Sequence, residues 1–343
     1  MRQLMNTLYV QTDRAYVHLD HDTLRVEIER ETKLRVPLLQ LSGIVCFGDV
    51  LISPALLHRC ADDGRAVVWL ERNGRFKGRL AGPTGGNVLL RRAQHLALSD
   101  PERRRRVARN MLGGKLRNAR GVLARGAREA TAAEDAAPLA TAAALTGGIL
   151  ERLPDRDDLD LMRGDEGEAA RAYFGAFAHL VRQDRDTFGL HGRNRRPPRD
   201  PMNALLSFYY TLLRADCVAA LEGVGLDPQV GFLHALRPGR PALALDLMEE
   251  LRPAIADRLA LTLVNRGQLR RADFEEHPGG AVYLNDTGRR TAIVAYQERK
   301  QEEVEHRVVG GKVPVGLVPH LQARLLARHL RDDLEHYPPF LAR

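Results

Sequence analysis

Cysteine is nearly absent. The 343 residues hold three, Cys46, Cys60 and Cys217, too far apart to form a CxxC pair. That argues against a cysteine-based zinc site and against a disulfide framework, and a reduced compartment fits. No HExxH occurs, so the helical zinc-hydrolase signature is missing too, and no nucleophilic Ser or Cys motif takes its place. Aromatic residues make up 5% of the chain, so the core must be built mostly of Leu, Val and Ala. No run of eighteen apolar residues is present, and the opening MRQLMNTLYVQTDRAY lacks the apolar stretch of a signal peptide. The expectation is a soluble, cytoplasmic protein with no membrane partner.

What is abundant is positive charge. The net charge is +8, and the excess is concentrated. Residues 1–90 carry twelve Lys and Arg against ten Asp and Glu, whereas residues 91–130 carry twelve against three. A concentrated basic stripe is what a phosphate backbone requires, so the charge points to a polyanionic partner.

The first eighty residues read as strands. TLYVQT, AYVHLD, TLRVEIE, KLRVPLLQL and GIVCFG are short runs rich in Val, Leu, Thr and Tyr, several of them alternating apolar with polar. SPALLHRCADDG has helix grammar, with Ser53 as N-cap, Pro54 at the first helical position and Gly64 past the end. RAVVWLERNGRFKGRL reads as a hairpin turning at Asn73-Gly74. GPTGGN, residues 82–87, marks a domain boundary; without the Lys-Ser/Thr ending of a P-loop it is a linker rather than a phosphate cradle. The fold expected is α+β: a small β-rich domain over 1–87, sandwich-like with one helix, then a larger all-α domain over 88–343. Within the latter, helices are expected over 88–130, 131–152 (weakened at Gly147-Gly148), 164–183, from Pro201 to a stop at Gly223, and about 241–266 with a break before Pro253. AVYLND then RTAIVAY, within 281–296, read as strand-like or irregular, and QERKQEEVEHRVV and VPHLQARLLARHLRDDLEHY as two final helices.

One histidine stands out. His234 lies in the Gly/Pro-punctuated segment GFLHALRPGRP, and Asp246 and Glu249 follow it on a helix. At helical spacing Asp246, Glu249 and Glu250 share an arc of roughly 100°. The plain reading is a solvated acidic face and a surface or structural histidine. The alternative is a metal site, because imidazole and carboxylate suit Mn²⁺ while carboxylate and water suit Mg²⁺. Such a site needs a further acid, and LMRGDEGEAARAYFGAF offers Asp165, Glu166 and Glu168. Acids in a first helical turn complement the helix dipole, which accounts for Asp165 and Glu168. Glu166 is less easily explained that way, since the Asp-Glu pair is flanked by Gly164 and Gly167.

These segments carry a resemblance. GDEGEAARAYFGAF, RNRRPPRDPMNALLSFYYTLL and DPQVGFLHALRPGRPALALDLMEELRP resemble, in order, spacing and flanking residues, three signature segments of the CRISPR-associated spacer-acquisition integrase and endonuclease family. YQERKQEEVEHRVVGG and QARLLARHLRDDLEHYPPFL resemble its I-C subtype. The resemblance spans essentially the whole chain. It implies an N-terminal β-domain that dimerises, a helical catalytic domain, and a site of Glu, His and an acid binding Mg²⁺ or Mn²⁺. Carried over segment by segment, the catalytic and metal-binding residues are Glu166, His234 and Glu249. The third is Asp in many relatives, and Glu reaches one methylene further. Asp246 matches a second acidic position, either supporting the ligands or holding a second ion.

The implied activity is insertion of short DNA fragments into a CRISPR array by 3′-hydroxyl attack on repeat phosphodiesters, with DNA cleavage in isolation. The implied partners are double-stranded DNA (fragment and repeat), a second copy of the chain, and a small ferredoxin-like adaptation protein. Candidate phosphate contacts are Arg193, Arg195, Arg196 and Arg199 in a basic loop and Arg237, Arg240 and Arg252 around the site. Arg103–Arg106 form a second basic patch, equally well read as a solvated helix start. Aromatics are not interleaved with these arginines, which favours duplex over single-strand stacking. Two other readings share the residues: a metal-dependent nuclease that only cleaves, and a non-enzymatic DNA-binding scaffold.

Overall fold

The computed structural model describes residues 6–82, 88–190, 192–194 and 196–342. The chain divides into two compact units, Met1–Gly85 and Gly86–Arg343. Residues 83–87, most of the expected linker, lie outside the described residues, as does Arg195 of the basic loop.

The first unit is built from β1 (Asn6–Val10), β2 (Tyr16–Asp20), β3 (Thr23–Ile28), β4 (Glu31–Pro37), β5 (Leu41–Phe47), β6 (Leu51–Ile52), α1 (Pro54–Asp62), β7 (Ala66–Leu70) and β8 (Phe76–Arg79). Two four-stranded sheets form, ordered β1-β5-β7-β8 and β4-β3-β2-β6. The inward residues of both meet in one core, with Val17, Leu24 and Val26 from one sheet against Ile44, Cys46 and Val67 from the other. Ser53 caps α1 by accepting from the Leu56 amide, as its sequence predicts. Gly74 turns the β7–β8 hairpin at a φ of 83°, which only glycine adopts at no steric cost.

The second unit runs α2 (Val88–Ser99), α3 (Pro101–Glu129), α4 (Ala133–Arg152), α5 (Leu159–Ala176), α6 (Arg185–Phe188), α7 (Pro201–Val224), α8 (Ala242–Leu251), α9 (Arg258–Asn265), β9 (Phe274–His277), β10 (Ala281–Leu284), α10 (Asp286–Gln301), β11 (Glu303–His306), β12 (Gly311–Pro314) and α11 (Val318–Leu330). The 29-residue α3 is its spine, with α4, α5 and α8 packed against it. Among the described residues one helix, α7, is long and apolar enough by composition to cross a membrane, but more than half of that stretch is buried, with α8 and α11 among its neighbours.

Several expectations are corrected here. The unit is mostly but not wholly helical, since β9–β10 and β11–β12 are antiparallel hairpins. EVEHRVV, rich in helix-forming charges, supplies strand β11 because it pairs with Gly311–Pro314. RTAIVAY lies inside α10 despite its β-branched residues. α4 passes unbroken through Gly147-Gly148. α7 ends at Val224, with Gly225 rather than Gly223 in the left-handed cap. Pro253 does not break its helix. The chain widens instead into a π-helical turn, Arg252–Asp257, between α8 and α9.

Candidate functional site

α5 starts earlier than its glycines suggest. Asp158 is the N-cap, accepting from the Asp160 amide at 2.8 Å, so Asp165, Glu166 and Glu168 sit well inside the helix and do not complement its dipole. Asp165 is buried and clamped by Arg152 and Arg156 at 2.7–3.1 Å. Burial pushes its carboxyl up, but the two guanidiniums outweigh that and hold it below the ordinary range. Glu168 also pairs with Arg152. These bonds tie the end of α4 and the loop after it to α5. Glu166 points elsewhere, at the ammonium of Lys115 on α3, 2.5 Å from its Oε1.

The same ammonium lies 2.6 Å from Glu249 Oε2 on α8. Glu249 Oε1 is 2.8 Å from Arg252 Nη1 in the π turn and 3.8 Å from His234 Nε2. Glu249 has no exposed surface. Burial pushes its carboxyl up, yet Arg252, Lys115 and His234 together hold it down at about 2, from an ordinary 4.5. Despite those short charge contacts, neither oxygen receives a well-directed hydrogen bond within the protein. Lys115 covers one oxygen and Arg252 the other, as ion pairs.

The loop carrying His234 is fixed from four sides. Asp246, fully buried on α8, accepts from the amides of Phe232 (2.6 Å), Leu233 (3.0 Å) and His234 (2.9 Å), and from the His234 ring at Nδ1 (2.6 Å). Arg104 of α3 donates to the Phe232 carbonyl and Arg163 of α5 to that of Leu233. Gln94 of α2, without exposed surface, donates to the carbonyls of Asp227 and Val230 and accepts from the Asp227 amide. Gly231 makes the wrap possible: a Cβ there would stand 2.6 Å from the Ala242 carbonyl carbon and 2.7 Å from Asp246 Oδ2. Because an ionised carboxylate only accepts, the imidazole bonded to Asp246 carries its proton on Nδ1. Nε2 is thereby the ring nitrogen turned towards Glu249. Asp246 thus acts by orienting His234.

A second layer lies behind the acids. Asp257 in the π turn accepts from Tyr173 (α5, 3.0 Å) and Tyr210 (α7, 2.7 Å), and Arg252 lies 4.9 Å over the Tyr210 ring. Tyr173 is seven residues after Glu166, two turns on along the same face, so this clamp also sets the rotation of α5.

The solvated acidic face is thereby excluded, since Asp246, Glu249 and Glu250 are all fully buried. The arginines divide. Arg196, Arg199 and Arg237 have exposed side chains and Arg240 is half-buried. Arg193 is turned inward to Asn203 and Ser207, and Arg252 to Glu249. The Arg103–Arg106 patch is not a solvated helix start: all four are half-buried, Arg103 pairs with Asp332, Arg105 with Glu102, and Arg104 holds the histidine loop. Sequence reasoning missed Lys115. Its signal was present: it is the only lysine among the twelve basic residues of 91–130, directly after Gly113-Gly114. A Cβ at Gly114 would stand 2.6 Å from that of Pro339 and 3.1 Å from that of Glu250, so the glycine lets α3 approach both the C-terminal segment and α8.

Two carboxylates and an imidazole are donors that suit a hard divalent ion. Among the described residues, however, no three His, Cys, Asp or Glu side chains stand together so as to hold one as they are. Lys115 stands between the two glutamates.

The chain matches the family model described as CRISPR associated protein Cas1 over residues 8–298. It is 55% identical to a protein of Moorella thermoacetica named CRISPR-associated endonuclease Cas1 1, over the whole of both chains. It is 49% identical to CRISPR-associated endonuclease Cas1 2 of Rhodospirillum rubrum, over 99% of each. Its fold is similar to that of a CAS1 protein from Thermotoga maritima, with a TM-score of 0.81 at 23% identity, covering 95% of this chain and 97% of that one. A casposase bound to integration product gives 0.83, also at 23% identity, over 97% and 93%. On the strength of the family match and the full-length relatives, the chain belongs to the CRISPR-associated Cas1 family.

Proposed function

We propose that this protein is a divalent-metal-dependent DNA endonuclease and integrase of CRISPR adaptation, joining the 3′-hydroxyl ends of short DNA fragments to repeat phosphodiesters. The observation that carries the reading is Glu249: a fully buried carboxylate, held ionised between Lys115 and Arg252, beside an oriented imidazole. Buried charges held in this way cluster at functional sites. The names of the relatives support the class of activity, and the casposase, which shares this fold and is bound to its integration product, supports strand transfer.

Glu166, Glu249 and His234 Nε2 would hold Mg²⁺ or Mn²⁺. The ion would supply Lewis-acid stabilisation of charge developing on a phosphate. The remaining tasks fall to the protein. Asp246 holds the imidazole in the tautomer with Nδ1 protonated. Arg252 holds Glu249 in place. Arg196, Arg199, Arg237 and Arg240 are the phosphate contacts that would set the duplex in register. A Cas6-RT-Cas1–Cas2 complex shares the fold, which supports a second adaptation protein as partner; homodimerisation and a cytoplasmic location belong to the same reading.

The test compares wild type with His234→Ala. Each is incubated with a short duplex bearing free 3′-hydroxyl ends, a supercoiled plasmid carrying a CRISPR array, the small partner protein, and Mn²⁺ or EDTA. Metal-dependent joining at repeat borders, lost in the variant, is the expected result. Cleavage without joining would leave only a nuclease, and neither activity with unchanged DNA binding would leave only a scaffold.

A further inference from the structure

We infer that Lys115 is a resident cation occupying the metal position, and that a divalent ion enters only by displacing it. The inference rests on the metal-dependent reading above. Its observation is the geometry of one ammonium 2.5 Å from Glu166 Oε1 and 2.6 Å from Glu249 Oε2, carboxylates that come from two different helices. A divalent ion held by the same two carboxylates would need the space that Nζ now fills. The two cations cannot share that space, and their repulsion in a buried setting makes the exchange one for one.

The chain is built for such an exchange. Lysine is a compact point charge on a flexible four-carbon stem, so it can sit between two oxygens as an ion would and still withdraw, whereas a planar guanidinium fork is a poor mimic of an ion. That explains a single lysine in a segment whose other basic residues are all arginine. Without Lys115, Glu166 and Glu249 would face each other with only Arg252 and His234 to offset them. The ammonium therefore holds the pair assembled until metal arrives. Glu166 is the half-exposed end of the array, with 26% of its side chain accessible against 1% for Glu249, so the withdrawn ammonium moves towards that mouth, where a DNA phosphate would receive it.

The experiment measures Mn²⁺ binding to the full chain without DNA, by electron paramagnetic resonance of the free ion. Lys115→Met removes the competitor and should lower Kd at least about tenfold. Lys115→Arg keeps a cation and should bind no more tightly than wild type. An equal or weaker affinity in Lys115→Met overturns the exchange while leaving the metal site standing; absence of Mn²⁺ binding in both proteins overturns the metal reading itself. A second measurement needs no variant. The protein has five lysines, and amine-reactive labelling of the wild type, mapped by peptide mass spectrometry, should rise at Lys115 when Mn²⁺ is added. Labelling that stays constant or falls would sink the idea.

Discussion

Glu249 and Glu250 are adjacent on α8, and neither has any exposed surface. Burial opposes ionisation of both, yet they settle in opposite charge states. Glu249 faces Lys115, Arg252 and His234, and is held down at about 2. Glu250 faces the other way. It accepts from Tyr337 Oη (2.7 Å), Gln322 Nε2 (2.8 Å) and the Phe340 amide (3.1 Å), all neutral donors, and burial pushes it up to about 8. Three neutral hydrogen bonds do not offset the loss of water around a carboxylate, whereas a cluster of cations does. The two faces of one helix thus have different duties. One keeps a charge ready for a cation. The other is a neutral knot that fastens the C-terminal segment, with Asn118 of α3 adding bonds to the carbonyls of Glu250 and Phe340 and from the Ala342 amide.

The sharpest way to break this comparison is to neutralise each acid in turn. Glu249→Gln removes the charge that Lys115 and Arg252 are paired with, and DNA cleavage should fall by at least about a hundredfold, the scale of losing one electrostatic contact in an active site. Two cations are left poorly compensated, so unfolding in urea should also show a loss of about 3–5 kcal/mol. Glu250→Gln keeps shape, acceptor and charge state, and cleavage should stay within a few-fold of wild type. Equal losses in the two variants would mean that the faces do not differ.

The pH dependence of stability separates the pair next. For Glu250 the folded carboxyl titrates near 8 against an ordinary 4.5. Between those values the folded protein keeps a proton that the unfolded chain has released, so this contribution is complete below pH 4.5 and is lost as pH rises to 8. One proton corresponds to a slope of about 1.4 kcal/mol per pH unit. Wild type should therefore lose stability relative to Glu250→Gln as pH rises from 5 to 8, by a few kcal/mol in denaturation at successive pH values. Glu249 has the opposite sign: its contribution is present above 4.5 and fades as pH falls towards 2. A pH-independent difference between wild type and Glu250→Gln would show that Glu250 is ionised throughout.

Where sequence could be read and where it could not follows from how local each cause is. The β unit was legible because its signals are local: Asn73-Gly74 for a turn, Ser53-Pro54 for a helix start, alternation for strands. EVEHRVV was not, because the partner strand that decides its conformation lies across a turn and its own composition favours a helix. Gly164 and Gly167 suggested a helix start because glycine weakens helix interiors, but the clamps on Asp165 and Tyr173 override that preference. His234, Asp246 and Glu249 were legible as a constellation through the family's segments. That the acids are buried rather than solvated was not, since helical spacing says which residues share a face but not what covers it. Here α3 and the C-terminal segment cover it, brought in from 132 residues upstream and 90 downstream of Glu250.

The smallest effect tests whether the two faces are independent. Tyr337→Phe deletes one neutral donor to Glu250, together with an acceptor for Gln322 Nε2, and nothing that touches Glu249. Loss of such a bond should cost about 1 kcal/mol in urea denaturation. Because the Tyr337 bond lowers the Glu250 carboxyl, its removal should also extend the pH-sensitive window upwards. Cleavage should not change, since the Lys115–Glu249–Arg252 contacts are untouched. A fall in cleavage as deep as that of Glu249→Gln, at so small a cost in stability, would mean that the C-terminal segment governs the site through α8, and that the neutral knot is part of the machinery rather than its fastening.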